Sequence, residues 1–185
     1  MIKELLDDAK RRMAKSVENF KDEIARIRTG RASVALLDGI KVDYYGTQMP
    51  LNQMATISVA DARLIVIQPW DVSAIGAIEK AIQRSELGLN PVNDGKVIRI
   101  SVPPLTEERR KELVKMVRKI AEEARIAVRN IRRDVLDDLK ELKKEGEISE
   151  DDFYRAQDQL QKITDEYIGK IEKILEQKEK DIMTV

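Results

Sequence analysis

One long helical pattern, from Thr106 to about Lys144, carries apolar residues at Leu113, Met116, Ile120, Ala124, Ala127, Ile131, Val135 and Leu142. A lone helix cannot bury such a seam and must press it against partners. The chain supplies two of them. From Ile2 to Ile27 the residues Ile2, Leu6, Ala9, Met13, Val17, Phe20, Ile24 and Ile27 step by fours and threes. A third pattern starts at Ser149, with Asp152 as an imperfect capping box, and aligns Phe153, Ala156, Leu160, Ile163, Tyr167, Ile171, Ile174 and Ile182. Three one-sided helices predict a three-helix bundle, a rod whose members extend roughly 40 to 55 Å at ~1.5 Å per residue.

The first two helices are separated by a stretch of different character. Lys41 to Tyr45, Ala55 to Val59, Leu64 to Gln68 and Val97 to Val102 read as short strands, and Ser73 to Leu87 as one short helix burying Ile75, Ile78 and Ile82. The expected fold class is therefore α+β: residues 1–30 and 105–185 form the bundle, and residues 31–104 form a small inserted β/α/β domain. Gly30 is expected to close the first helix. Pro103-Pro104 fixes an extended link, because neither residue donates a backbone hydrogen bond. Thr106 caps the next helix with Glu107 and Glu108 at its positive end, and Glu145-Gly146-Glu147 breaks it. Two linkers joining the insertion to one end of the rod make a hinge, with Thr29, Gly30, Pro103, Pro104 and Leu105 as its candidate residues.

Opposite the seam of the long helix stand Lys111, Arg118, Arg125, Arg129 and Arg132, spaced 7, 7, 4 and 3 apart. Forked, permanently charged guanidinium groups suit phosphate, so the stripe points to nucleic acid. The whole chain balances 34 Lys and Arg against 34 Asp and Glu, yet the charge is sorted. Glu107 to Arg133 is net +5, and Asp134 to Leu160 sets ten acids against four bases, a polarity that favours oriented docking. Glu122 lies within reach of Arg118 or Arg125, whereas Arg129 and Arg132 have no acid at the three- or four-residue spacings on the stripe. Antiparallel packing at equal rise from the hinge would bring Arg11, Arg12 and Lys15 level with Arg118 to Arg125, extending the basic surface over two helices.

Catalysis is disfavoured. The chain has no cysteine and no histidine, which removes thiolate chemistry, the commonest general base and the commonest zinc ligand. No glycine loop of the phosphate-cradling kind occurs, so no cofactor is expected and any nucleotide energy must come from a partner. Glu150, Asp151 and Asp152 complement a helix dipole better than they hold a metal. Strand alternation turns one of Tyr44 and Tyr45 inward, leaving the other as a possible stacking surface. No run approaches the ~18 apolar residues of a membrane span, and Met1 to Lys10 alternates charge, so a cytoplasmic protein is expected.

Several blocks in order carry a resemblance. They are Arg28-Thr29-Gly30-Arg31-Ala32-Ser33, Leu37-Asp38-Gly39-Ile40, Asp43-Tyr44-Tyr45-Gly46, Leu87-Gly88-Leu89-Asn90-Pro91, Pro103-Pro104-Leu105-Thr106-Glu107-Glu108-Arg109-Arg110 and Val128-Arg129-Asn130-Ile131-Arg132-Arg133-Asp134. Together the chain resembles the ribosome recycling factor family over essentially its whole length, with Val34 departing from the proline many members carry there. The resemblance implies an L-shaped monomer of transfer-RNA dimensions that binds the 70S ribosome after termination, chiefly through large-subunit ribosomal RNA. With elongation factor G and its GTP it would split the subunits and release mRNA and tRNA.

Arg129 and Arg132 stand in the family's functional arginine motif, and spacing independently places them on the stripe. Arg133 follows, turned about 100° from Arg132. Arg125, Arg118, Arg110, Arg28 and Arg31 complete the candidate RNA-binding set. Two rival readings remain: a coiled-coil adaptor or chaperone whose arginines only solubilise, and a general RNA-binding protein that also takes free RNA.

Overall fold

In the computed structural model the described residues are 1–85 and 87–184. Glu86, within the expected Ser73–Leu87 helix, and Val185, at the expected end of the bundle, lie outside the described residues. The chain divides into two compact units. The first comprises Met1–Ile24 and Glu112–Lys180; the second comprises Ala25–Lys111 and the residues from Asp181 onward.

The first unit is built on three helices, α1 (Ile2–Ala25), α3 (Glu107–Lys144) and α4 (Glu150–Met183), while α2 (Ile75–Arg84) lies in the second unit. α1 buries Leu6, Ala9, Met13, Val17, Phe20 and Ile24, the interior of the expected seam. On α4 Phe153, Ala156, Leu160, Ile163, Ile171 and Leu175 are buried, while Tyr167 and Ile174 are only half-buried. Thr164 is the buried polar residue of the unit, and its hydroxyl is satisfied by donating to the Leu160 carbonyl at 2.8 Å.

The seam of α3 differs from the expected one. The buried residues are Leu113, Val117, Ala121, Ala124, Val128, Ile131, Val135 and Leu139, whereas Met116 is 44% exposed and Ile120, Ala127 and Leu142 are half-buried. Both sets obey helical spacing. Each holds two alanines, and the observed one turns the buried face toward the arginine side.

Ion pairs fix how the helices run. Arg118 Nε meets Glu179 Oε1 at 2.6 Å, and Arg125 Nε meets Glu172 Oε1, so seven residues forward on α3 correspond to seven back on α4 and the two are antiparallel. Arg12 Nη2 donates to Asp134 Oδ2 at 3.0 Å, bridging α1 to α3. This pair corrects the expected register: Arg12 stands opposite Asp134, not Arg118 to Arg125. α1 and α3 do not begin level, so counting both from the linker misplaces the partners. Arg11 is bound by Asp8 on its own helix, and the basic surface does not extend from α3 onto these two arginines.

Helix ends follow local chemistry. Thr106 Oγ1 accepts from the Arg109 amide at 3.1 Å and Ser149 Oγ from the Asp152 amide at 3.0 Å, each capping a helix start. α3 closes in a Schellman turn, with Glu147 N donating to Leu142 O at 2.9 Å and Gly146 N to Lys143 O at 3.1 Å, and Gly146 at φ +74°. α1 ends at Ala25, five residues before Gly30, so Gly30 is not its terminator. The glycine serves the linker instead.

The second unit holds a hairpin, β1 (Lys41–Tyr44) with β2 (Thr47–Pro50), and a four-stranded sheet. That sheet comprises β3 (Ala55–Asp61), β4 (Leu64–Pro69), β5 (Pro91–Asn93) and β6 (Ile98–Ser101), ordered β3-β4-β6-β5 and antiparallel throughout. β2 and β5 were not legible as strands, being short and polar or proline-led. Helix α2 (Ile75–Arg84) connects β4 to β5 and buries Ile78 and Ile82. Ile65 pairs with Ile100 and Ile67 with Ile98 in register, and these four side chains are fully buried in the core.

Gly146→Ala leaves free space around the new Cβ but forces an L side chain into the left-handed region. Urea unfolding is expected to show a loss of about 1–2 kcal/mol. An unchanged midpoint would mean the α3–α4 turn relaxes without cost.

Candidate nucleic-acid interface

At 3.6 residues per turn the arginine stripe lies about a quarter turn from the centre of the buried face of α3, beside it rather than opposite. The correction has a chemical consequence, because arginines beside the buried face come within reach of acids on α4. Arg118 is taken by Glu179 at 2.6 Å. Arg125, whose side chain is 17% exposed, donates to Glu172 Oε1 and to Glu122 Oε2, the latter at 2.7 Å. These two arginines bind the bundle together.

Further along, the cations become freer. Arg129 Nη1 reaches Glu122 Oε1 at 3.3 Å, so its acid lies seven residues back, beyond the three- and four-residue spacings. That contact is long, and the same carboxylate serves Arg125 through its other oxygen. The hydrogen bond from Arg125, with the charges of Arg125 and Arg129, holds the Glu122 carboxyl below its ordinary value. Among the described residues, the side chains of half-buried Arg132 and exposed Arg133 make no hydrogen bond or ion pair. The stripe thus divides into a structural pair, Arg118 and Arg125, and an available group, Arg129, Arg132 and Arg133.

The remaining sequence candidates belong to the second unit. Lys111 pairs with Glu107 at 3.7 Å one turn away. Arg28 donates from Nη2 to the Pro103 carbonyl at 2.8 Å, and its Nε is buried without a partner, as is that of Arg110. Both side chains therefore commit part of the guanidinium to the interior of the unit. Arg31 is exposed, with its amide directed to Thr29 Oγ1 at 3.4 Å.

The linker residues lie together in this unit. Gly30 adopts φ +82°, and a Cβ built on it would sit 3.4 Å from Leu105 Cγ. The Arg28 hydrogen bond to Pro103 joins the same two segments. Tyr44 is half-buried and donates its hydroxyl to Asp71 Oδ2 at 2.7 Å, while Tyr45, in the turn that follows, is 82% exposed at φ +50°. Trp70 is 65% exposed, with Nε1 donating to Thr56 Oγ1 at 2.9 Å. Among the described residues no cluster of acids is arranged to hold a metal ion, and no helix is long and apolar enough to cross a membrane.

Sequence reasoning missed Glu172 and Glu179 as partners. A signal existed, because the two acids are seven apart, as are Arg118 and Arg125.

Arg125→Ala is expected to destabilise the protein by about 1–2 kcal/mol in urea titrations, since it removes a largely buried side chain together with its bonds to Glu172 and Glu122. Arg118→Ala should cost at most about 1 kcal/mol because that pair is more exposed. Arg132→Ala and Arg133→Ala should stay within about 0.5 kcal/mol of the parent. Equal losses at all four sites would abolish the division of the stripe.

Known proteins fit this architecture closely. A family model described as ribosome recycling factor matches residues 20–183. The ribosome-recycling factor of Halalkalibacterium halodurans is 59% identical over 185 residues, covering 100% of both chains. That of Syntrophus aciditrophicus is 59% identical over 181 residues, covering 98% of each. Among solved structures, a solution structure of the ribosome recycling factor matches with a TM-score of 0.80 at 51% identity, covering 100% of this chain and 98% of that one. A second match has a TM-score of 0.71 at 52% identity and covers 100% of both chains. It presents the T. thermophilus ribosome recycling factor and E. coli elongation factor G bound to the E. coli post-termination complex.

Proposed function

Because this chain belongs to the ribosome recycling factor family, whose members are non-catalytic translation factors, we propose that it binds the 70S ribosome after termination through large-subunit ribosomal RNA. Acting with elongation factor G and GTP, it promotes dissociation into subunits and release of mRNA and tRNA. It works as a monomer in the cytoplasm and supplies no chemistry of its own. The observation that carries the RNA-binding role is the division of the stripe: Arg118 and Arg125 are paired with acids of α4, Arg125 being largely buried, while Arg129, Arg132 and Arg133 make no ion pair with α4 acids among the described residues and keep donors for an external phosphate. The burial of the α1, α3 and α4 seams within one chain speaks against an adaptor that offers them to other proteins.

In this reading residues 1–30 and 105–185 form the anchoring domain, and residues 31–104 form the domain that receives elongation factor G. Thr29, Gly30, Pro103, Pro104 and Leu105 are the hinge. Support comes from the crossing of the two linkers, where Gly30 meets Leu105 and Arg28 meets Pro103.

Binding to purified large subunits over a salt series tests the anchor. Arg129→Ala and Arg132→Ala should each weaken binding and lower the slope of log affinity against log salt by about one. Binding indistinguishable from the parent at every salt would reduce the arginines to a solvated face. Equally tight capture of free RNA would favour a general RNA binder.

Gly30→Ala tests the hinge, since at φ +82° it strains the backbone by about 1–2 kcal/mol beside Leu105. Subunit splitting with elongation factor G and GTP should slow while large-subunit binding holds. A normal splitting rate would remove the hinge role from Gly30.

A further inference from the structure

The second unit carries a concave surface that the helical stripe does not involve. Between β1 and α2 lies a groove of about 710 Å³, walled by Lys41 and Asp43 on one side and by Gly76, Lys80 and Arg84 on the other. The α2 wall follows from helical spacing: Gly76, Lys80 and Arg84 stand four residues apart and so form one row. Gly76 keeps the upper end open, since a Cβ built there would meet nothing within 4 Å.

The charge of the groove is unbalanced. Lys41, Lys80 and Arg84 face one acid, Asp43, and among the described residues none of the four has an ion pair or side-chain hydrogen bond. Some charges nearby are partnered, Arg99 with Asp94, Asp71 with Tyr44 and Ser73, and Glu79 with Asn93, but none of these partners lines the groove. Three unpartnered cations converging on a concavity raise the local concentration of anions. Lys80 and Arg84, one turn apart, are placed for two successive charges along a chain.

We propose that this groove seats the phosphodiester backbone of a single-stranded RNA. The lining excludes two other readings of the same charge. It contains no aromatic side chain, so bases are not stacked and sequence is not read. It also offers little of the exposed apolar or aromatic anchor on which protein interfaces depend, since Ile40 is buried in the core and the helical floor is Ala77 and Ala81. A single strand can thread such a concavity, whereas the phosphates of a duplex line a convex cylinder. The choice of RNA over DNA rests on the ribosomal reading above; the phosphate chemistry does not.

The test uses the full chain carrying Arg129→Ala, Arg132→Ala and Arg133→Ala, so that the helical stripe is silent. The probe is a fluorescein-labelled oligouridine of about twelve nucleotides, comparable to the site size of small single-strand binders. The background protein should bind it with salt-dependent affinity. Adding Lys80→Ala and Arg84→Ala should weaken binding roughly tenfold and lower the salt slope by about 1.4, the value for two phosphate contacts on a single strand.

Gly76→Leu separates a groove from a diffuse field, because it fills the space without altering charge. Far-ultraviolet circular dichroism confirms that each variant is folded. Weakening by Gly76→Leu supports the groove; normal binding overturns it. Absent binding by the background protein overturns it too, as does preference for an oligoglutamate peptide over the oligouridine. Since large-subunit anchoring is measured separately through the stripe, failure here leaves the recycling role standing.

Discussion

The apolar face of α3 sets the terms for the rest of the helical unit. From Leu113 to Leu139 it climbs by fours and threes, and the chain buries it against helices of its own. Apolar packing alone tolerates sliding, and the charged margin removes that freedom. A slip of four residues between α3 and α4 would set Arg118 against Leu175 and Arg125 against Ile168, leaving Glu179 and Glu172 unmet. Exposed ion pairs add little stability, so their contribution is specificity of register. The Arg12–Asp134 pair plays the same part for α1.

That role explains why a uniform row of arginines is not uniform in function. Arg118 and Arg125 stand where antiparallel α4 presents Glu179 and Glu172, and Arg125 loses most of its exposure there. Angle alone does not decide which guanidinium groups keep donors to spare: Arg132 lies nearer the buried face than Arg118 yet meets no acid among the described residues, so the partners that α4 supplies decide it. Glu122 marks the border, binding Arg125 closely and Arg129 at longer range. An incoming phosphate would compete with one shared carboxylate at Arg129 and with no protein group at Arg132.

The second unit depends on a different constraint, the pairing of β4 with β6 that brings Ile65, Ile67, Ile98 and Ile100 into one buried layer. With α2 laid over the sheet, the opposite side of that helix is free to carry charge. Small residues at Gly76, Ala77 and Ala81 keep the surface beside β1 concave, and concavity is what converts scattered lysines into a directed field.

Much of this was legible from local pattern. Helical periodicity located the three long helices, capping chemistry at Thr106 and Ser149 marked their starts, and alternation located four of the six strands to within two residues at either end. Short β2 and β5 escaped because strands of that length are defined by their partners. Gly30 announced a left-handed residue, but its purpose, the close approach to Leu105, is a contact across more than seventy residues of sequence.

The sequence by itself determined that α3 bears an apolar seam and an arginine row, since spacing along one helix is a local property. Only the tertiary structure decided the angle between seam and row, and which arginines are bound by Glu172 and Glu179. Those acids come from another helix, and the register between helices is settled by packing that no single segment encodes.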